Sequence, residues 1–356
     1  MLSMISRRVF FYRLSLVIYI SIIWVLFSVL FLYNIIEVEK EFLMERRLFF
    51  FSLAFAIIGF VISGAEAFFL KDAFRNYPFW LGMLLRLTLT FLLFLVLSMI
   101  ILAAYFVFRY DGSFNEFTSV FFNKIMLTSS FLMFMLDLGL LAFISILLLE
   151  ITDKYGPGGF TNLLRGRYNK PRLENRIFLF LDINDSTAIA EKMGHKKYFS
   201  WLKDFFADIT EPILANGGEI YQYVGDEIVL SWKNTNLNKQ NCLKFIRQAY
   251  FILKRKEKKY IDRHGFAPSF KAGIHAGEVT AGYIGIIKKD LVYSGDTLNT
   301  SARIRSKCHD LDHNFLFSGD FMEGFTPPDI YKIIEIGEMK FKGRSEKEKI
   351  YAVDFK

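Results

Sequence analysis

Cysteine is nearly missing from this chain: only Cys242 and Cys308 occur in 356 residues, with no CxxC pair and no cysteine–histidine spacing suited to zinc. A disulfide framework is therefore excluded, and the half of the chain that holds both thiols suits a reducing, cytoplasmic compartment. Proline is also sparse, with seven in the chain, and none interrupts the four apolar runs of the first 150 residues, at 9–36, 48–70, 79–108 and 125–149. No aromatic-basic interleaving or recognised binding motif marks a partner of the nucleic-acid polymer class.

What is present is apolar mass. The chain is 53% hydrophobic and 17% aromatic, too rich for an ordinary soluble domain of this length. Each of the four runs exceeds the roughly 20 residues that cross a bilayer as a helix. The opening "SRRVFF" is followed by a long apolar run without a small-residue cleavage site, which predicts a retained first span and not an export signal.

Four spans place both ends of the module on one side. Arg7, Arg8 and Arg13, then Lys71 and Arg75, then Lys154, Arg165, Arg167 and Lys170 face that side, which the positive-inside rule assigns to the cytoplasm. Arg46 and Arg47 fall in a loop on the other side. Residues 1–150 carry 11 basic and 10 acidic side chains and the remainder 33 and 26. The second half is thus basic by +7, which suits an anionic lipid surface, a nucleic acid or a polyphosphate substrate. Glu66, Arg86 and Asp137 fall within or near the spans. Pairing across helices accounts for the first two, and Asp137, deeper in its span, is a candidate for sensing.

These patterns divide the chain into a transmembrane module at 1–150, a glycine-, proline- and base-rich connector at 151–175, and a second domain at 176–356. We expect the spans to form a regulatory module, dimerising by analogy alone, and the connector to transmit its geometry. In the second domain "IFLFLDI" reads as a strand, followed by a helix begun at Asp185, Ser186 and Thr187 and a longer helix ending at Gly217–Gly218. Then come a hairpin at 220–232, a helix at 239–263, strands at 269–285 and 290–293, a helix from Asp296, and two late strands. This order predicts an α+β, ferredoxin-like fold.

The hairpin "GGEIYQYVGDEIVLSW" poses the chemical question, because Asp226 and Glu227 stand together between two apolar runs. A tight turn alone explains Gly225 and Asp226. If the strand at 177–183 lies beside the hairpin, however, Asp182 and Asp226 meet at one end of the sheet and repel unless a divalent cation lies between them. Their hard oxygen atoms suit Mg2+ or Mn2+. The free N–H groups after Asp182, at Asp185, Ser186 and Thr187, suit a phosphate. Asn299 and Arg303, four apart on one helix, share a face, and they suit a ribose and a phosphate or simply a solvated helix surface capped at Asp296.

Together "FLDI", "VGDEI" and "NTSAR" resemble the class III nucleotidyl cyclases, which make cyclic AMP or cyclic GMP. The resemblance spans residues from about 155 to 355. It implies a class III cyclase catalytic domain that binds two Mg2+ or Mn2+ ions through Asp182, Asp226 and the Ile183 carbonyl. It further implies Asn299 to orient the ribose, Arg303 to stabilise charge on the α-phosphate and Lys342 to meet the terminal phosphates. "GIHAGEVTAG" resembles the family's glycine-spaced strand, where the backbone approaches another element. Gln222 and Val292 stand at the base-reading positions, where adenylyl members carry lysine with aspartate or threonine and guanylyl members carry glutamate and cysteine. Neither guanine-reading side chain is present, so the expected substrate is ATP, with GTP the alternative. The family's metal and ribose-binding residues come from different subunits, which implies a homodimer.

The expectation is a membrane-bound adenylate cyclase with a cytoplasmic catalytic domain. Its rivals are a guanylate cyclase and a catalytically silent nucleotide-binding receptor. A diguanylate cyclase is disfavoured because Val224 replaces the first glycine of that family's GGDEF turn. His195, His264, His275, His309 and His313 are expected to be structural or surface residues.

Overall fold

The computed structural model describes residues 7–38, 45–74, 77–110, 113–125, 129–156, 159, 162, 165–341 and 347–355. The chain divides into two compact units, Met1–Tyr155 and Gly156–Lys356. Parts of the stretch read as connector lie outside the described residues. Its first residues extend a helix to Tyr155, and its last ones open a strand at Arg172.

Unit 1 is helical: α1 (Arg7–Val38), α2 (Glu45–Ala65), α3 (Phe79–Tyr110), α4 (Phe114–Val120) and α5 (Ser129–Tyr155). A π-helical turn, Glu66–Leu70, prolongs α2 to Ala73. Among the described residues, four stretches are long and apolar enough to cross a membrane: Phe10–Val29, Ser52–Ala73, Phe79–Ile101 and Met135–Lys154. The fourth expected run starts too early. Ile125 closes the π turn that ends α4, and α4 begins in a capping box between Ser113 and Glu116.

Trp24, Phe55, Ile58, Phe94, Leu138 and Leu141 pack together inside this unit. Its buried charges are matched: Arg86 pairs with Glu66 and donates to Glu150 Oε1 at 2.5 Å. Arg13 donates to Asp72 Oδ2 at 2.9 Å, and Lys71 pairs with Asp153. Asp137 is half-buried.

Unit 2 contains β1 (Arg172–Ile183), α6 (Ser186–Met193), α7 (His195–Ala215), β2 (Glu219–Val224), β3 (Glu227–Lys233), α8 (Asn236–His264), β4 (Phe270–Ile284), β5 (Asp290–Ser294) and α9 (Asp296–Ser306). It ends with β6 (Phe315–Ser318), α10 (Gly319–Met322), β7 (Tyr331–Lys340) and β8 (Lys347–Phe355). The strands run β2-β3-β1-β4-β6-β8-β7, with β5 on β4. The first four strands and their helices make the antiparallel ferredoxin-like core, and β6 joins parallel to β4.

β1 is central, so it is apolar on both faces. Ile177, Leu179, Leu181 and Ile183 pack against Trp201, Phe205 and Ile209 of α7 and Phe245 of α8. Phe178 and Phe180 face Val279 and Tyr293, with Leu298 and Ala302 of α9 beside them.

Candidate functional site

Strand alternation puts Asp182 on the face of Phe178 and Phe180, the one that α9 covers. Leu181 pairs with Ile228, and Val224 pairs with Glu227 across the turn Gly225-Asp226, so the turn lies just past the end of β1. Gly225 has φ +63°, the left-handed conformation that the first position of such a two-residue turn requires. The acidic pair of the hairpin therefore arrives beside Asp182, close enough for Asp226 to push the Asp182 carboxyl up.

Two side chains that sequence reasoning did not single out, Arg305 and Lys271, complete the cluster. Arg305 Nη1 donates to Asp182 Oδ2 at 3.1 Å, and its Nη2 donates to Glu227 Oε2 at 2.6 Å. Lys271, directly opposite Asp182 in the β1–β4 ladder, places Nζ 3.2 Å from the same Oδ2. Burial raises the Asp182 carboxyl above the usual carboxylate range. Arg305 pulls it back and Asp226 pushes it further up. Glu227 is also raised, by burial, with Arg305 opposing. Burial and the nearby Asp226 raise the Tyr198 hydroxyl.

Ser186 is half-buried, whereas Asp185 and Thr187 are exposed at the start of α6. Asp185 takes the N-cap position in a left-handed conformation, φ 53°, with no side-chain capping bond. The tight exit from β1 demands that backbone, which aspartate tolerates. Asp296, by contrast, is the first residue of α9 and not its cap; Gly295 is the cap.

α9 rests on β4 where glycine removes the obstacle. A Cβ on Gly273 would lie 2.2 Å from Arg305 N and 2.5 Å from Ser301 O, and one on Gly277 would lie 2.7 Å from Thr297 Oγ1. On this helix Asn299 is exposed and Arg303 half-buried, with Arg303 Nη1 3.9 Å from Asp296 Oδ1. Residues two apart on a helix point to different sides. Arg305 is the one turned to Asp182 of its own chain, and Arg303 is turned away from it. Gln222 is exposed on β2 and Val292 half-buried on β5; their neighbours Tyr221 and Tyr293 have ring centroids 5.1 Å apart. Lys342 lies outside the described residues.

A second group, His275, Asp320 and Glu348, has potential ligand atoms all within 4.8 Å of one another. It belongs to β4, α10 and β8 and shares no residue with the Asp182 cluster. His275 Nδ1 lies 2.7 Å from Ser318 Oγ, and His264 Nε2 lies 2.8 Å from Asp204 Oδ2.

Residues 169–354 match the adenylate and guanylate cyclase catalytic domain. The chain is 33% identical over 203 residues to adenylate cyclase 2 of Rhizobium meliloti (strain 1021), covering 57% of this chain and 56% of that protein. Adenylate cyclase 1 of the same organism is 29% identical over 180 residues, covering 49% of this chain and 27% of that one. The adenylyl cyclase CyaB from P. aeruginosa superposes with a TM-score of 0.46 at 17% identity, over 52% of this chain and 97% of that one. The chain spans about half the length, or less, of these curated relatives. Since the domain match takes in more than half of its residues, the chain belongs to the adenylate and guanylate cyclase catalytic domain family.

Proposed function

We propose that this protein is a membrane-bound adenylate cyclase that converts ATP to cyclic AMP and pyrophosphate in a homodimer. The observation that carries the reading is the meeting of Asp182 and Asp226 at one end of the sheet, with the Asp182 carboxyl pushed up by burial and by Asp226. Two such carboxylates, with the Ile183 carbonyl beside them, are a fitting donor set for two Mg2+ or Mn2+ ions. When bound, divalent ions supply charge neutralisation for attack of the 3′-hydroxyl on the α-phosphate and for the departing pyrophosphate.

The chain's own residues do the positioning. Arg305 and Lys271 hold the Asp182 carboxylate in place. Asn299 would orient the ribose and Arg303 would stabilise the α-phosphate. That α9 directs Arg305 to its own Asp182 supports a reading in which Asn299 and Arg303 would serve a partner's carboxylates. Asp185, Ser186 and Thr187 would meet phosphate oxygens, and Gln222 with Val292 the base. Lys342 would meet the terminal phosphates. Residues 1–150 would anchor and regulate, residues 151–175 would transmit, and 176–356 would catalyse with both termini cytoplasmic.

The test is turnover of ATP and GTP, separately, by the full-length protein in detergent with Mg2+ or Mn2+, scored by product identity. Cyclic AMP from the parent and none from Asp226→Ala is the expected result. Cyclic GMP alone would overturn the base assignment, and no product from either nucleotide would favour a silent receptor.

A further inference from the structure

The apolar helices of unit 1 leave a recess between α1, α3 and α5, lined chiefly by Trp24, Thr90, Phe91, Phe94, Leu138 and Gly139, with a volume of about 320 Å³. That is about twice a cavity known to stay dry and accept benzene. The wall is mostly carbon. Gly139 opens onto it, because a Cβ there would meet nothing within 4 Å.

Hydroxyls in apolar helices usually return to a carbonyl one turn back. Thr88 Oγ1 does so to Leu84 O at 2.9 Å, and Ser145 Oγ to Leu141 O at 2.8 Å, while Trp24 Nε1 donates to Ser145 Oγ at 3.1 Å. Among the described residues of α3, Thr90 and Ser98 are exceptions, each with a buried hydroxyl oxygen that has no hydrogen-bond partner; Thr90, 3% exposed, is the one that lines the recess. A buried hydroxyl left unpaired in hydrocarbon is costly.

We propose that the recess is a binding site for a small, predominantly apolar molecule carrying one hydrogen-bonding oxygen, of the medium-chain alcohol or phenol class, with Thr90 Oγ1 as its polar contact. A lipid acyl chain fills the volume but leaves the hydroxyl unpaired. An alcohol does both, because the Thr90 hydroxyl can donate or accept. This site is independent of the catalytic reading, since none of its residues belongs to unit 2.

The test is photolabelling of the full-length protein in nanodiscs with 3-azioctanol, with adducts mapped by mass spectrometry. Labelling is expected on α3 or α5 at the recess, saturable, and competed by 1-octanol at least fivefold better than by octane. Thr90→Val should weaken the saturable labelling several-fold while Thr90→Ser retains it, and Gly139→Leu, which fills the space, should abolish it. Uniform, non-saturable labelling of lipid-facing residues would overturn the proposal, as would equal competition by octane or indifference to Thr90→Val. If Gly139→Leu altered cross-linking between copies and left labelling unchanged, the recess would be an interface and the proposal would fall. Should Gly139→Leu not fold, the Thr90 pair alone decides.

Discussion

Arg305 Nη1 lies 3.1 Å from Asp182 Oδ2, joining the last turn of α9 to the end of β1 inside one chain. The same guanidinium reaches Glu227, so one cation spans the two strands that carry the acidic cluster. Arg305→Ala leaves two largely buried carboxylates without their main counter-ion. It should destabilise the protein by about 1.5 kcal/mol, as expected for charge-assisted hydrogen bonds. Thermal melting in detergent checks this; an unchanged midpoint would mean that the bridge contributes nothing.

Gly273→Ala drives a methyl group into the backbone of α9 at Arg305 and Ser301. Neither neighbour is a flexible side-chain end, so the helix must shift. A loss of about 3 kcal/mol is expected from such overpacking, together with lost turnover, because Asn299 and Arg303 ride on that helix. Full activity with an unshifted melting temperature would refute the close approach.

Acid sensitivity should arise at Glu174. Burial alone would raise its carboxyl, but the hydrogen bond and charge of the buried Arg176 outweigh that and hold it below the usual range. A depressed carboxylate contributes stability above its unfolded pKa, and that contribution is lost as pH falls through the folded value. Glu174→Gln should therefore lower the melting temperature near neutral pH, and the gap to the parent should close below about pH 4. A gap that persisted in acid would assign the effect to packing.

Gln222→Glu with Val292→Cys introduces the two guanine-reading side chains that the family resemblance names. The ratio of GTP to ATP turnover should rise about tenfold or more, as a site with matched hydrogen bonds discriminates. An unchanged ratio would place base recognition elsewhere.

Much of this was legible in the sequence, for reasons that can be named. The four apolar runs and the period-two strands announce themselves, and Gly225-Asp226 between apolar runs marks a tight turn. The approach of Asp226 to Asp182 needs only that β3 pair with β1. Arg305 and Lys271 were not legible: Lys271 faces Asp182 only through the β1–β4 register, and Arg305 only through the seating of α9 on Gly273. A second arginine two residues after Arg303 was the available signal. β6, four residues long, is too short for a periodic pattern, and α4 lay hidden in a linker between apolar runs whose one local sign was the capping box at Ser113. Asp185 and Asp296 read as side-chain caps because propensity favours aspartate there, whereas the observed backbone needed a left-handed residue at one site and glycine before the other.

The most direct test of the shared site is co-expression of Asp226→Ala and Arg303→Ala chains, each inactive alone. Random pairing makes about half the dimers mixed, each with one intact site of two, so recovery of about a quarter of parental cyclic AMP formation is expected. No recovery in demonstrably mixed dimers would contradict a site built from the carboxylates of one subunit and Arg303 of the other.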